Sequence, residues 1–209
     1  MKTIAIIHTT PTTISSLGIL IKNTKIINYL DDSILPEINT NGYITSAVRA
    51  RFYLLVQAAC IAKPDAILCA CSSIGGLLEE ARDIIPIPAF RIDDAMAEVA
   101  VNTSNNITVM ATLNSTLQPT IELLRKKSKT INITPILIKE AGALLLEKRL
   151  DEYEQLIADE ITKAAKETDT IVLAQASMAV AAERVQVNCN ILSSPKLGIK
   201  SVLEALNDC

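Results

Sequence analysis

Aromatic residues are scarce in this sequence, at 3% of 209 positions, and Trp is absent. Because the hydrophobic fraction is nevertheless 49%, aliphatic side chains must build the core. A chain of this length buries enough of them for one large domain or two small ones that share a core. A ligand pocket built on aromatic stacking is not expected.

Signals for several common partners are also missing. The formal net charge is −3, and the one basic run, 125–129, ends a predicted helix, where cations meet the negative end of the helix dipole. No nucleic-acid partner is therefore predicted. The five cysteines contain no CxxC pair, and no nucleotide-binding or Schiff-base motif occurs. We therefore predict no metal and no cofactor.

No apolar stretch reaches the length of a membrane span, and the opening apolar segment, 4–7, is shorter than the core of a signal peptide. We therefore expect a cytoplasmic protein with no membrane partner. An odd number of cysteines fits a reducing compartment, in which the thiols stay free.

Short apolar segments alternate with amphipathic ones along the whole chain. The predicted strands are Ile4 to Ile7, Ala66 to Ala70, Ile107 to Ala111 and Thr170 to Ala174. The predicted helices span 45–62, 93–101, 116–127, 150–166 and 199–206. This alternation predicts an α/β fold with a mainly parallel sheet covered by helices.

The two halves of the sequence resemble each other. Segment 4–9 aligns with 107–112, and 65–74 aligns with 169–178, so the two offsets differ by a single residue. A tandem duplication explains this pattern. We predict two pseudo-symmetric lobes, 1–102 and 103–209, with the C-terminal helix crossing over and the active site between the lobes.

Polar residues follow each predicted strand. Ligands of open parallel sheets bind beyond the carboxyl ends of the strands, so we expect these residues to line one cleft. They are His8, Thr9, Thr10, Cys71, Ser72, Ser73, Thr112, Ser115, Thr116, Gln175, Ala176 and Ser177.

Cys71 is the predicted reactive centre, since it stands between a strand and a turn into a helix. A helix N-terminus is expected to lower the pKa of its thiol. The nearby N–H groups and the hydroxyls of Ser72 and Ser73 are expected to hold an anion. The alternative is a buried strand-end cysteine with serines that cap the helix. Cys69, within the apolar run, is predicted to be core.

His8 is the only histidine. It is either a second acid/base in the cleft or a strand-end histidine bonded to the backbone. The hydroxyls of Thr112, Ser115 and Thr116 either bind an anion or cap a helix, and these roles are compatible.

An ordered set of motifs resembles the aspartate/glutamate/hydantoin racemase superfamily. The motifs lie at 6–11, 31–37, 71–75, 94–98, 111–116 and 173–179. The resemblance implies two similar α/β lobes, a small carboxylate or amino-acid-like substrate, no cofactor, and a possible homo-oligomer. It also makes the acidic segment 31–37 a candidate lid.

In the racemases of this family, two cysteines face each other across the α-carbon of the substrate. Cys71 matches the first of them, while Gln175 stands where the resemblance places the second. Glutamine does not exchange a proton near neutral pH, so a symmetric two-thiol mechanism is not expected.

Three hypotheses follow. The first is a racemase or epimerase in which Cys71 is one acid/base and His8, or a water held by Gln175, is the other. The second is a lyase, decarboxylase or hydrolase that uses a single cysteine. The third is a small-molecule-binding protein without catalysis.

Overall fold

A computed structural model describes residues 1–207, so Cys209, a tail residue by its place in the sequence, lies outside the described residues. Packing contacts divide the chain into unit 1, formed by 1–94 and 195–207, and unit 2, formed by 95–194. Each unit contains a four-stranded parallel sheet flanked by helices. The predicted α/β fold with two mainly parallel sheets is confirmed.

The elements follow one another in this order. Unit 1 contains β1 Thr3–His8, α1 Thr12–Gly18, β2 Lys25–Leu30, α2 Ile34–Asn41, α3 Ser46–Ile61, β3 Ala66–Cys69, α4 Gly75–Ala81 and β4 Ala89–Arg91. Unit 2 contains α5 Asp94–Thr103, β5 Asn106–Ala111, α6 Asn114–Lys127, β6 Asn132–Leu137, α7 Lys139–Leu146, α8 Leu150–Ala164, β7 Thr170–Leu173 and β8 Asn190–Ser193. The chain then returns to unit 1 as α9 Ser194–Asn207.

The two sheets have the same topology. Their strand orders are β2-β1-β3-β4 and β6-β5-β7-β8. Ile7 pairs with Cys69 in the first sheet, and Met110 pairs with Leu173 in the second. These pairs repeat the sequence offsets noted above, so the internal similarity of the sequence corresponds to a repeated βαβ topology.

The contacts divide the chain after Asp94 rather than at residue 102, because α5 belongs to unit 2. Glu98 on α5 forms a 2.9 Å ion pair with Lys127 at the end of α6. Beyond α5, Ser104 is buried and hydrogen-bonded to Thr170 on β7.

The sheet of unit 1 is covered on both faces, as successive residues of a strand point in opposite directions. Ala5 and Ile7 of β1 pack with Phe52 of α3 on one face. Ile4 and Ile6 pack with Leu17 of α1 and with α9 on the other. Continuous burial of this kind explains the uninterrupted apolar runs of the central strands.

Helix α9 approaches the end of β4 very closely. A Cβ at Gly198 would collide with the carbonyl oxygen of Ile92. Glycine therefore lets α9 cover this end of the sheet, where Ile199, Val202 and Leu206 pack.

In unit 2, α7 and α8 cover one face of the sheet. Tyr153, Ile157 and Ile161 of α8 pack against Met110 of β5 and Leu173 of β7. Among residues 1–207, no helix has both the length and the apolar character needed to cross a membrane.

Candidate active site

Cys71 lies two residues beyond the end of β3, in an extended conformation with φ −135° and ψ 116°. A 3₁₀ turn over Ser72–Ile74 follows, and α4 begins at Gly75. The Cys71 thiol receives hydrogen bonds from the Thr9 and Ser73 hydroxyls and from the backbone N–H groups of Ser73 and Ile74. The predicted convergence of Thr9, Ser73 and Cys71 is thus observed within unit 1.

The sulfur of Cys71 is surrounded by protein atoms although the residue keeps some exposed surface. Burial raises the pKa of Cys71 above its ordinary value, and the four donors only partly oppose that effect. The predicted lowering of this pKa is therefore wrong for the free protein. The resting state is a thiol whose surroundings are arranged to receive a negative charge.

Cys69 is fully buried, and its thiol donates to the carbonyl oxygen of Cys71 at 3.6 Å. Burial raises the pKa of Cys69 to about 12. This agrees with the prediction that Cys69 is core, and it leaves Cys71 as the thiol at the end of β3.

A buried ion-pair network lies beside the thiol turn. Arg91, the last residue of β4, donates from Nε and one terminal nitrogen to both oxygens of Asp93, each at 2.9 Å. Its other terminal nitrogen donates to Glu79 of α4 at 2.6 Å. Burial acts to lower the pKa of Arg91, but the two carboxylates raise it above its ordinary value. The sequence did not predict this network; the oppositely charged Arg91 and Asp93 on either side of Ile92 were the available signal.

His8 ends β1 and is completely buried. Its Nδ1 lies 2.7 Å from the Thr13 hydroxyl, and its Nε2 lies 3.0 Å from Oδ1 of Asn28. Both ring nitrogens therefore bind side chains of unit 1, and the Thr13 hydroxyl also donates to the carbonyl oxygen of Thr10 at 2.9 Å. The role of His8 as second acid/base stays a prediction. Its partners are side chains rather than the predicted backbone groups.

Burial lowers the pKa of His8, and its hydrogen bond with Asn28 opposes this only in part. The unfolded chain binds a proton near pH 6.5, whereas the folded chain does so only at lower pH. Stability is therefore expected to fall as the pH drops below about 6.5. Because His8 is the only histidine, one imidazole signal in an NMR titration reports the folded pKa. A midpoint at or above 6.5 would contradict this prediction.

In unit 2, Gln175 stands two residues beyond the end of β7. Its Oε1 accepts hydrogen bonds from the backbone N–H of Thr112 at 2.5 Å and from the Thr112 hydroxyl at 3.0 Å. A backbone N–H can only donate, so the atom facing it must be the amide oxygen. The side-chain NH₂ group of Gln175 has no acceptor among residues 1–207.

The same internal contact thus occurs in both units. The threonine that follows the first central strand donates to the side chain two residues beyond the second central strand: Thr9 to Cys71 in unit 1, and Thr112 to Gln175 in unit 2. The duplicated architecture extends to side-chain hydrogen bonding, while the chemistry of the acceptor differs.

The other predicted residues lie on the same strand-end turns. Thr10 Oγ1 is 3.1 Å from Thr12 Oγ1, and Ser72 is buried in the 3₁₀ turn of unit 1. Ser115 and Thr116 lie in the first turn of α6. Ala176 and Ser177 open a 3₁₀ segment, Ala176–Arg184.

Ser177 is exposed, and its hydroxyl lies 2.8 Å from the hydroxyl of Tyr153. Burial raises the pKa of Tyr153 to about 12, so its hydroxyl keeps its proton at neutral pH.

The acidic segment 31–37 is held to α3 by Arg51. Nε of Arg51 lies 3.0 Å from Asp31, and a terminal nitrogen lies 2.8 Å from Glu37. Arg49 forms an ion pair with Glu80. Both arginines are therefore bound to carboxylates of the protein. In the described part of the chain, no group of three metal-ligating side chains is close enough to hold an ion.

The family model described as Asp/Glu/Hydantoin racemase matches residues 22–202. The chain belongs to this family. The matched range includes the turns of Cys71 and Gln175 in both units. No curated protein matches the chain with significant similarity.

Solved structures of racemases share the fold. The aspartate racemase of Picrophilus torridus superposes with a TM-score of 0.76 at 16% identity, over 99% of this chain and 95% of that one. The allantoin racemase of Klebsiella pneumoniae gives 0.75 at 18% identity, over 99% and 88%. Glutamate racemase of Francisella tularensis, in complex with D-glutamate, gives 0.75 at 15% identity, over 99% and 81%. At such identities, the likeness establishes a shared fold.

Proposed function

We propose that this member of the racemase family is a cofactor-independent isomerase that acts at the α-carbon of a small carboxylate or amino-acid-like substrate, with Cys71 as acid/base. The observation that carries the proposal is the set of four donors around the Cys71 sulfur. Such donors stabilise the thiolate that forms when the thiol gives up its proton. A strand-end thiol in this setting alternates between the two protonation states that proton transfer requires.

Removing an α-proton leaves negative charge on the substrate, which needs hydrogen-bond donors at the adjoining carboxylate. The amide of Gln175 is suited to this role. Its oxygen is held by Thr112, so the NH₂ group is oriented as a donor toward a ligand. We infer that Gln175 binds an oxygen atom of the substrate and carries no proton itself.

A decarboxylase or related lyase is the second candidate, and the raised pKa of Cys71 favours it. Burial keeps this thiol protonated. In such a reaction the substrate carboxylate leaves as CO₂, its bonding electrons stay on the α-carbon, and the Cys71 thiol delivers the proton. One proton donor is sufficient, whereas racemisation requires proton transfer on both faces.

The racemases with similar folds suggest a first panel of compounds. Two of them are named for aspartate and allantoin, and a third is in complex with D-glutamate. Each enantiomer would be incubated with the protein in D₂O and followed by NMR. Deuterium at the α-carbon without net loss of substrate supports the isomerase, and net loss with CO₂ release supports the lyase. A bound compound with neither reaction would contradict both and favour a binding protein.

Replacing Gln175 should change the stereochemical outcome. With one titrating group, α-proton exchange in one enantiomer is expected to run faster than inversion. Gln175→Cys supplies a second thiol and is expected to raise the ratio of inversion to exchange by about tenfold or more. Gln175→Ser is the matched control, because serine is similar in size to cysteine but has no group that titrates near neutral pH. Equal ratios in the two variants would contradict the assignment of Gln175.

The homo-oligomer implied by the resemblance remains a prediction.

A further inference from the structure

Gly75 and Arg91 are in unusually close contact beside the thiol turn. A Cβ at Gly75 would lie 2.5 Å from Nε of Arg91 and 2.6 Å from its Cζ. The backbone of Gly75 is ordinary helix, with φ −57° and ψ −32°, so its conformation does not require glycine. The close approach of the Arg91 guanidinium requires glycine at this position, because any other residue would place a Cβ in the space that the guanidinium occupies.

Arg91 has little freedom to move away. The residue is 3% exposed, and its three described hydrogen bonds connect it to Asp93 and Glu79. Glu79 lies four residues after Gly75, so both face Arg91 from the same side of α4. In addition, β4 is hydrogen-bonded to β3, with Arg91 in register with Cys69. One guanidinium therefore joins the start of α4 to the strand pair that leads to Cys71.

The residues immediately before Gly75 supply the backbone donors of the thiol. The N–H groups of Ser73 and Ile74 lie beside the Cys71 sulfur, and that of Ile74 also donates to the Cys71 carbonyl oxygen at 3.3 Å. Their orientation depends on where the 3₁₀ turn enters α4, which is the point that Arg91 contacts.

We propose that Arg91 is a positioning residue for Cys71: by packing against Gly75 and binding Glu79, it holds the turn whose N–H groups stabilise the thiolate. It acts through the turn and not on a substrate. This inference rests on the proposed function for its relevance to turnover, but the reactivity of Cys71 can be measured without any substrate.

Alanine substitutions at two adjacent glycines test this proposal. Gly75→Ala places a methyl group against Arg91, whereas Gly76→Ala meets no atom within 4 Å. Both changes add the same group to the same helix. In Gly75→Ala, losing a hydrogen bond to the thiolate is expected to lower the alkylation rate of Cys71 by iodoacetamide at pH 7 by about tenfold. The pH profile of alkylation should move upward, and kcat should fall similarly with KM little changed. Gly76→Ala should match the wild type.

Glu79→Gln gives a second measurement in case Gly75→Ala does not fold. It keeps an oxygen acceptor for Arg91 but removes the charge, and its alkylation profile should move in the same direction by a smaller amount. Arg91→Lys keeps the positive charge but loses the planar guanidinium that binds two carboxylates. Its alkylation profile should therefore also move upward. Equal profiles for Gly75→Ala and Gly76→Ala, or an unchanged profile for Glu79→Gln when Gly75→Ala is unfolded, would overturn the proposal. If the alkylation profiles move as expected but no compound exchanges its α-proton, the proposed function fails while this inference stands.

Discussion

Cys71→Ala is expected to reduce α-proton exchange by about 10²–10⁴-fold, the usual contribution of a positioned acid/base group. The loss follows from removal of the thiol, because the hydroxyl and backbone N–H groups that face it do not ionise near neutral pH and cannot transfer a proton in its place. The measurement is deuterium incorporation by NMR at several pH values, with the panel described above. Binding of the substrate should be weakened much less than exchange.

Cys60→Ala is the matched control. Cys60 lies on α3 of the same unit, is also partly exposed, and burial raises its pKa as well. Its replacement should leave exchange unchanged. If Cys71→Ala keeps the wild-type rate, Cys71 is not the acid/base and the proposed mechanism is wrong.

Arg91→Met is expected to lower the free energy of unfolding by about 3–5 kcal/mol. The reason is Asp93, whose side chain is 1% exposed and loses the partner that binds both of its oxygens. Unfolding in urea, followed by circular dichroism, measures the effect. The double variant Arg91→Met with Asp93→Leu should recover a large part of the loss, because no buried charge is then left unpaired.

Arg149 offers a control with the same number of bonds in a different environment. It binds both oxygens of Glu152 and one of Glu147, but these three side chains are half exposed or more. Solvent screens such a network, so Arg149→Met should change stability only slightly. Equal losses for the two arginine variants would show that burial does not decide the effect.

The sequence predicted the central strands and not the edge strands. Strands β1, β3, β5 and β7 are covered on both faces and read as continuous apolar runs. The four missed strands, β2, β4, β6 and β8, are all at the sheet edges. The edge strand Lys25–Leu30 mixes exposed and half-buried residues, so neither an apolar run nor a clean alternation marks it. Pairing with a neighbouring strand, which is a tertiary effect, makes these segments strands.

The neighbours of Cys71 and of Gln175 within each unit were predictable from the sequence, but the pKa of Cys71 was not. The strand ends predicted Thr9 and Ser73 near Cys71, and Thr112 near Gln175, because parallel strands end at the same edge. The pKa of Cys71 depends on how deeply its sulfur is buried, which no local pattern encodes. In the same way, His8 was placed correctly at a strand end, but its two side-chain partners come from segments that sequence reading left unassigned.

The position of α9 has a consequence for synthesis on the ribosome. Unit 2 is one continuous segment, whereas unit 1 is interrupted by it and is completed only by 195–207. Until these last residues emerge, the face of the first sheet formed by Ile4, Ile6 and Leu68 lacks the cover of Ile199, Val202 and Leu206. The nascent chain therefore carries an open apolar surface while the second sheet is being made, which is the kind of surface that chaperones bind. The order of translation therefore means that unit 1, which contains Cys71, completes its folding after unit 2 has been made.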